Sequence, residues 1–310
     1  MIFINNIINE KVENLKDIIK YHSITVEGEC VELHPEALEF IAQDYIYKEA
    51  LNNTKEQEIK KEKAIYYKNK NEFIQKITGL YGKFYFSFYN NLPDIPKQYL
   101  FRFIYLSTFL KYNDDRLMIK ENNERYRLIY EFELQDILKL STREYQYTKK
   151  TLIENKLIKI DDDKVIHINN KLSINGDIGN TKRDYIRVFN NAIQSIYINS
   201  TAKDHKKLFI LIELLPYINY NLNVLCFNPE ETQPELINPL TLDDIANILD
   251  MYKSNKSKLK TLLLNIFVDG KKAMMINKDY KQEFFIINPC IYYKGNKGDD
   301  IDFLDKLFRV

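Results

Sequence analysis

Apolar positions recur at helical spacing in some stretches of this chain and alternate or run continuously in others, and the order of the two patterns sets the expected architecture. Val12, Leu15, Ile18 and Ile19 form a stripe, and Ile24 to Leu33 alternates like a small hairpin turning at Glu27-Gly28-Glu29. His34-Pro35-Glu36 then opens a helix through Leu38, Ile41, Ala42 and Tyr45. Asn52 to Asn71 carries dense charge of both signs, the pattern of a solvated helix or a linker. A partner-binding coiled coil is the sharper alternative there, and the missing apolar heptads weigh against it. Residues 1–80 are thus expected to be a helical N-terminal region with a charged linker.

From Lys83 to Tyr89 the chain reads as a strand or an aromatic edge, and Asp94-Ile-Pro96 announces a helix through Tyr99, Phe103, Leu106 and Leu110. Arg116 to Lys120 and Arg127 to Tyr130 are short strand candidates. Next comes a short helix burying Leu134, Ile137 and Leu138, then a second helix capped by Ser141, with Tyr145, Thr148 and Leu152 on its inner face. Leu157 to Ile160 and Val165 to Ile168 flank the polar Asp161 to Lys164 as hairpin strands flank a turn. Helix, tight turn, helix and hairpin together resemble a winged helix-turn-helix, in which the second helix enters the major groove and the hairpin leans on the backbone.

The pattern returns. Thr241 caps a short amphipathic helix, Tyr252 to Leu264 is a basic one, and Phe267 to Asn288 reads as a hairpin with a polar centre. Matched by letters, Leu134, Asp136 and Ile137 correspond to Leu242, Asp244 and Ile245, which reads as an internal repeat of one module. Tyr185 to Ile198 and Lys203 to Ile218 are expected helices, the latter capped by Thr201 and bent or closed by Pro216. Asn223 to Pro229 reads as a strand, Glu230 to Pro239 as a loop and Asp299 to Arg309 as a terminal helix. The Asn- and Gly-rich run from Asn169 to Thr181 is the expected linker. The fold class is then mainly α with small β-hairpin wings (α+β), as two tandem winged helix-turn-helix domains, 82–170 and 183–310, behind the N-terminal region.

The 310 residues, 45% hydrophobic and 29% charged, allow two or three soluble domains, and no apolar run reaches the ~20 residues of a membrane span. The N-terminus lacks the cationic start and cleavage site of a secretory signal, so a cytoplasmic protein without membrane contact is expected. Cys30, Cys226 and Cys290 stand isolated and are assigned to packing. With 45 basic against 44 acidic residues the net charge of +1 does not advertise a nucleic-acid binder. Charge nonetheless segregates: Thr142 to Lys159 carries five basic residues against Glu144 and Glu154, and Lys253 to Lys260 carries four lysines and no acid. The abundance of Ile, Asn and Lys with no Trp reads as coding from an AT-rich genome, which makes single lysines weak signals.

The runs Lys206 to Asn219, Asn223 to Pro229, Asn238 to Ile245 and Ile287 to Gly295 resemble the winged-helix proteins of Firmicute plasmids and phages, including the RepL-like replication and maintenance proteins, over roughly residues 186–298. That resemblance implies a mobile-element DNA-binding protein. Catalytic chemistry is not expected: the four histidines are scattered, no Gly-rich phosphate loop is present, and Asp161-Asp-Asp and Asp243-Asp244 read as solvated turn and helix-start charge. No cofactor or metal is expected, and the protein is not read as an enzyme. On the first basic helix Thr142, Arg143, Gln146, Tyr147 and Lys150 would face a groove. On the second, Lys253, Ser254, Asn255, Lys256 and Lys258 are the corresponding candidates, and wing lysines Lys164, Lys271, Lys272 and Lys278 would add backbone contact. The expected function is a sequence-specific duplex-DNA-binding transcriptional regulator. A replication initiator on origin repeats and a protein-interaction scaffold are the alternatives. A homodimer and host replication or transcription proteins are further candidate partners.

Overall fold

The computed structural model describes residues 24–26, 29–31, 35–121, 125–178, 184–251, 256–278, 283–296 and 298–308. It is about 48% helical and 20% strand, which makes the chain α+β. Residues 1–72 and 73–310 form two compact units. In the first, β1 (Ile24–Val26) and β2 (Glu29–Val31) pair antiparallel, as the alternation predicts. Helix α1 (Pro35–Tyr81) follows, and its stretch 52–72 is exposed on every side. The charged run is therefore a solvated helix rather than a linker, with opposite charges at four-residue spacing such as Lys68 and Glu72.

The second unit is organised on a four-stranded sheet. Its strands are β3 (Phe84–Ser87), β8 (Ser173–Ile174), β9 (Ile186–Phe189) and β14 (Tyr292–Tyr293), in the order β14-β9-β3-β8. Between β3 and β8 lie α2 (Lys97–Ser107), the hairpin β4 (Met118–Lys120) and β5 (Tyr126–Leu128), α3 (Leu134–Ile137), α4 (Thr142–Glu154), and the hairpin β6 (Ile158–Ile160) and β7 (Ile166–Ile168). Between β9 and β14 lie α5 (Asn190–Ile198), α6 (His205–Leu208), α7 (Ile210–Glu213), α8 (Leu242–Ile248) and α9 (Lys256–Leu264). Two hairpins complete this half, β10 (Phe267–Val268) with β11 (Lys271–Lys272) and β12 (Met274–Lys278) with β13 (Glu283–Ile287). Helix α10 (Gly298–Leu307) follows β14.

The two halves repeat one hydrogen-bonding scheme. Leu117 N donates to Ile166 O and Ile168 N to Asp115 O; in the second half Leu225 N donates to Phe285 O and Ile287 N to Asn223 O. Asn169 brackets the end of the first half: its Nδ2 donates to Lys156 O and its Oδ1 accepts from Lys171 N. Asn288 does the same with Lys272 O and Cys290 N. Leu172 O and Ile291 O then accept from Phe88 N and Phe189 N, which makes Phe88 and Phe189 equivalent. Two residues earlier on each strand stand Phe86 and Arg187, and these two pair with each other across the antiparallel β3 and β9. A pair of equivalent residues facing one another places a pseudo-two-fold axis through their midpoint, normal to the sheet.

The repeat register differs from the one read off the letters. Helices α3 and α8 close identically: Leu138, Lys139 and Leu140 donate to Leu134, Asp136 and Gln135, as Leu249, Asp250 and Met251 donate to Ile245, Asn247 and Ala246. Lys139 and Asp250 both take φ near +50° (49° and 52°). At the other end Glu133 accepts from Tyr130 N and Asp244 from Thr241 N. Tyr130 to Leu152 thus matches Thr241 to Leu263 without a gap, three residues away from the Leu134–Leu242 correspondence.

One sheet face and both halves share a core that includes Tyr85, Phe101, Leu134, Leu152, Val188, Tyr197, Leu211, Ile245, Leu263 and Tyr292. The other face, with Phe189 and Tyr293, is covered by Phe73 and Ile77 of α1 and Ile301 and Leu304 of α10. The stretches 82–170 and 183–310 therefore lie within one compact unit and share a sheet. Three further expectations are corrected. Asn169 to Ile174 is not a linker, because Leu172 and Ser173 are buried and β8 is a sheet edge. Ile186–Phe189 is a strand rather than the first turn of a helix, its four residues all buried between two layers. Phe267 to Asn288 holds two hairpins, the first turning at Gly270 with φ +79°.

Candidate nucleic-acid interface

Helix α4 has an anchored side and an open side. Ser141 caps it, its Oγ accepting from Glu144 N at 3.4 Å. Tyr145, Thr148 and Leu152 are buried, as the period predicts. Beneath them lies Arg102 of α2, 1% exposed, whose Nη1 donates to Thr148 Oγ1 at 2.6 Å and to Glu144 Oε2 at 3.1 Å. Thr148 Oγ1 in turn donates to Glu144 O at 2.7 Å. Lys149 pairs with Glu131 at 2.9 Å, tying α4 to the turn before α3. That hydrogen bond holds the Glu131 carboxyl below its ordinary range and the Lys149 ammonium above its own.

The open side presents Thr142, Arg143, Gln146, Tyr147 and Lys150, all exposed. Arg143 lies over the Tyr147 ring, 5.9 Å from its centroid, with Tyr147 51% exposed. Lys150 faces Glu154 at 3.8 Å on the helix surface, a spacing that leaves the ammonium accessible. Thr142 Oγ1 accepts from Gln135 Nε2 at 3.3 Å. Arginine and glutamine on one exposed helix face provide forked donors and a donor–acceptor amide, the groups that match guanine and adenine edges.

The hairpin beyond α4 is less basic than its sequence position invites. Lys164 is exposed, but so are Asp162 and Asp163 beside it. His167 on β7 sits between two carboxylates, Nδ1 3.0 Å from Asp115 Oδ1 and Nε2 3.1 Å from Asp161 Oδ2. Burial pulls the imidazole pKa down, yet the hydrogen bonds to Asp161 and Asp115 outweigh burial and leave it raised.

In the second half, Lys253, Ser254 and Asn255 lie outside the described residues. Lys256 pairs with Asp243, and Lys260 and Lys278 both engage Glu283, at 3.1 and 3.0 Å. Lys258 is exposed, as are Lys271 and Lys272, which stand on the inserted hairpin rather than on β12 and β13. In the repeat register Ser257, Lys258 and Thr261 occupy the places of Gln146, Tyr147 and Lys150.

Sequence reasoning missed Arg102 and His205. Arg102 Nε donates to His205 Nδ1, and Phe101 and Tyr197 pack around the imidazole. A lone arginine in an apolar run gives no sign of a partner a hundred residues on. Elsewhere, Ser87 Oγ, Arg187 Nε, Asn190 Oδ1, Asn223 Oδ1, the Tyr292 hydroxyl and Asp300 Oδ2 are buried without a hydrogen-bond partner among the described residues. Lys294 is 2.6 Å from Asp184 and 3.9 Å from the Tyr220 centroid, its pKa lowered by burial against the pull of Asp184. Cys226 is buried and Cys290 half-buried, their thiols pushed up by burial to about 11 and about 12. An open cleft of about 460 Å³ is lined by Asn91, Pro93, Asn155, Asn169, Lys171 and Leu172, with neither carboxylate nor imidazole. Among the described residues no group of three His, Cys, Asp or Glu could hold a metal, and no helix is long and apolar enough to cross a membrane. No protein-family model matches the chain, and neither a curated protein nor a solved structure matches it.

Proposed function

We propose that this chain binds duplex DNA sequence-specifically through two winged-helix modules and serves as a transcriptional regulator of the phage or plasmid kind that its resemblance to RepL-like proteins implies. The observation carrying this reading is the two-sided character of α4: Arg102 and the core fix one side, while Arg143, Gln146 and Lys150 on the other are open. A reading helix must be held rigidly by its scaffold and must leave forked donors free, and both conditions are met there. Arg143 and Gln146 take the base-reading role, and Lys150, Lys258, Lys271 and Lys272 the phosphate-binding role. Lys164 is the sole contributor from the tip of the first hairpin, because Asp162 and Asp163 repel phosphate.

The test is a titration of fluorescent random-sequence duplexes at several salt concentrations, followed by binding-site selection. The expected result is an affinity whose logarithm falls linearly with the logarithm of salt, and a recovered motif. A failure to bind any duplex at every salt concentration would overturn the proposal in favour of a protein-interaction scaffold.

A further inference from the structure

The internal axis constrains the DNA site beyond what two modules in one chain would require. Phe86 and Arg187, equivalent by their distance from Phe88 and Phe189, pair with one another at the centre of the sheet. The outer strands repeat the relation: Phe86 pairs with Ile174 as Arg187 pairs with Tyr293, and Ser87 with Ser173 as Val188 with Tyr292. The axis continues through the helices. Lys97 at the start of α2 pairs with Glu213 at the end of α7, while His205 at the start of α6 meets Arg102 on α2, so the two elements run antiparallel. Leu110 bridges Leu117 as Ile218 bridges Leu225, so the same symmetry extends into the strand that leads to each reading helix. Three more residues separate that strand from the matching segment in the second half, but Tyr130 to Leu152 and Thr241 to Leu263 then run in step, so α4 and α9 are mates across this axis.

We infer that one copy of the chain reads an inverted pair of unequal half-sites on a single duplex. This rests on the DNA-binding reading above. Two helices related by a two-fold axis meet bases on opposite strands, so the half-sites that fit them are inverted rather than direct repeats. In proteins built from two identical chains that symmetry makes the halves alike; here the outward faces differ. Gln146, Tyr147 and Lys150 stand where the second half has Ser257, Lys258 and Thr261. The half under α4 is the specified one. The half under α9 is held chiefly through phosphates, since lysine acts there as a point charge.

The test attaches an iron chelate to single cysteines introduced at the equivalent positions, Gln146→Cys and Ser257→Cys, and maps hydroxyl-radical cleavage on a selected duplex. The unsubstituted chain treated in the same way supplies the background from Cys30, Cys226 and Cys290. Mass measurement of the complex gives the stoichiometry. Expected are two cleavage tracts whose strand offsets are mirror images about the centre of the site, one chain per duplex, and a roughly tenfold or greater loss of affinity when the half under α4 is flipped. Tracts with the same strand polarity, or two chains per duplex, would overturn the inference and leave the DNA-binding reading standing. Absence of binding to every duplex would overturn both.

Discussion

Arg102 Nε donates a hydrogen bond to His205 Nδ1 at 3.1 Å, joining α2 of one half to α6 of the other. The imidazole accepts through Nδ1 and is therefore neutral, carrying its proton on Nε2. Burial first, and the Arg102 charge second, hold its pKa down to about 4. The same guanidinium reaches Glu144 and Thr148 under α4, so one buried cation links the helix proposed to read DNA to the seam between the halves.

Acid should weaken the fold through His205. Its folded pKa of about 4 lies below the ordinary value of 6.5, so its contribution is complete above about pH 6.5 and is lost as the pH falls toward 4. The full effect is on the order of 3 kcal/mol. Urea unfolding at pH 7, 6 and 5 should show this decline, and His205→Asn should flatten it while lowering stability at pH 7.

Arg102→Met should destabilise the protein by roughly 3 kcal/mol, because it strips a buried acceptor, His205, and the Thr148 hydroxyl of their donor. If the proposed function holds, DNA affinity measured well below the melting temperature should fall as well, since Glu144 and Thr148 lose the contact that orients α4. A variant that melts as the wild type does would remove Arg102 from the seam.

His167 carries the opposite sign. Its folded pKa is raised by Asp161 and Asp115 against burial, so its contribution is complete below about pH 6.5 and is lost as the pH rises through the folded value. A proton NMR titration of the imidazole should give a midpoint above 6.5, and Asp161→Asn should move it down. An unshifted midpoint in that variant would mean that the carboxylate does not hold the ring.

Fragments 82–170 and 183–310, expressed separately, should fail to melt cooperatively. The first would keep β3 alone and the second β9 with β14, splitting the central β3–β9 pair and the stacked Tyr105 and Tyr197 rings, 3.7 Å apart. Two independent cooperative transitions would show that each half closes its own core.

Arg143→Ala should lose the preference for a selected site by roughly 1–3 kcal/mol while keeping most non-specific affinity. Lys258→Ala should instead weaken all duplexes alike and lower the salt slope by about one unit. Binding-site selection with the wild type and Arg143→Ala decides the first, and a gel-shift salt series the second.

The sequence made local features legible and distant ones illegible. Ser141, Tyr145, Thr148 and Leu152 announce α4 because cap and period both act within a few residues. Ile186 to Phe189 was unreadable as a strand because it passes straight into α5 with no intervening turn, and burial on both faces, Arg187 included, removes the alternation. Asn169 reads by composition as linker, yet its amide donates to Lys156 O and accepts from Lys171 N on the backbone around it. The repeat was visible but its register was not. Tyr130 is no ordinary cap residue, and only its hydrogen bond to Glu133 aligns it with Thr241. On the site itself, the exposed face of α4 followed from its period, whereas the pairing of Lys256, Lys260 and Lys278 with acids depended on folding.

The axis through Phe86 and Arg187 lies inside one polypeptide, and this changes how the two halves can vary. In an assembly of identical subunits every substitution appears twice, at symmetric places, so a residue tolerable on one side but ruinous on the other is inaccessible. Here each side mutates alone. Arg187 illustrates the freedom: its guanidinium lies over Phe73 and Phe86 and donates to the carbonyl of Gly295, while its symmetry mate is an apolar phenylalanine. Two arginines facing each other across that centre would place like charges side by side in a buried sheet, a cost that identical subunits would bear and a fused chain avoids.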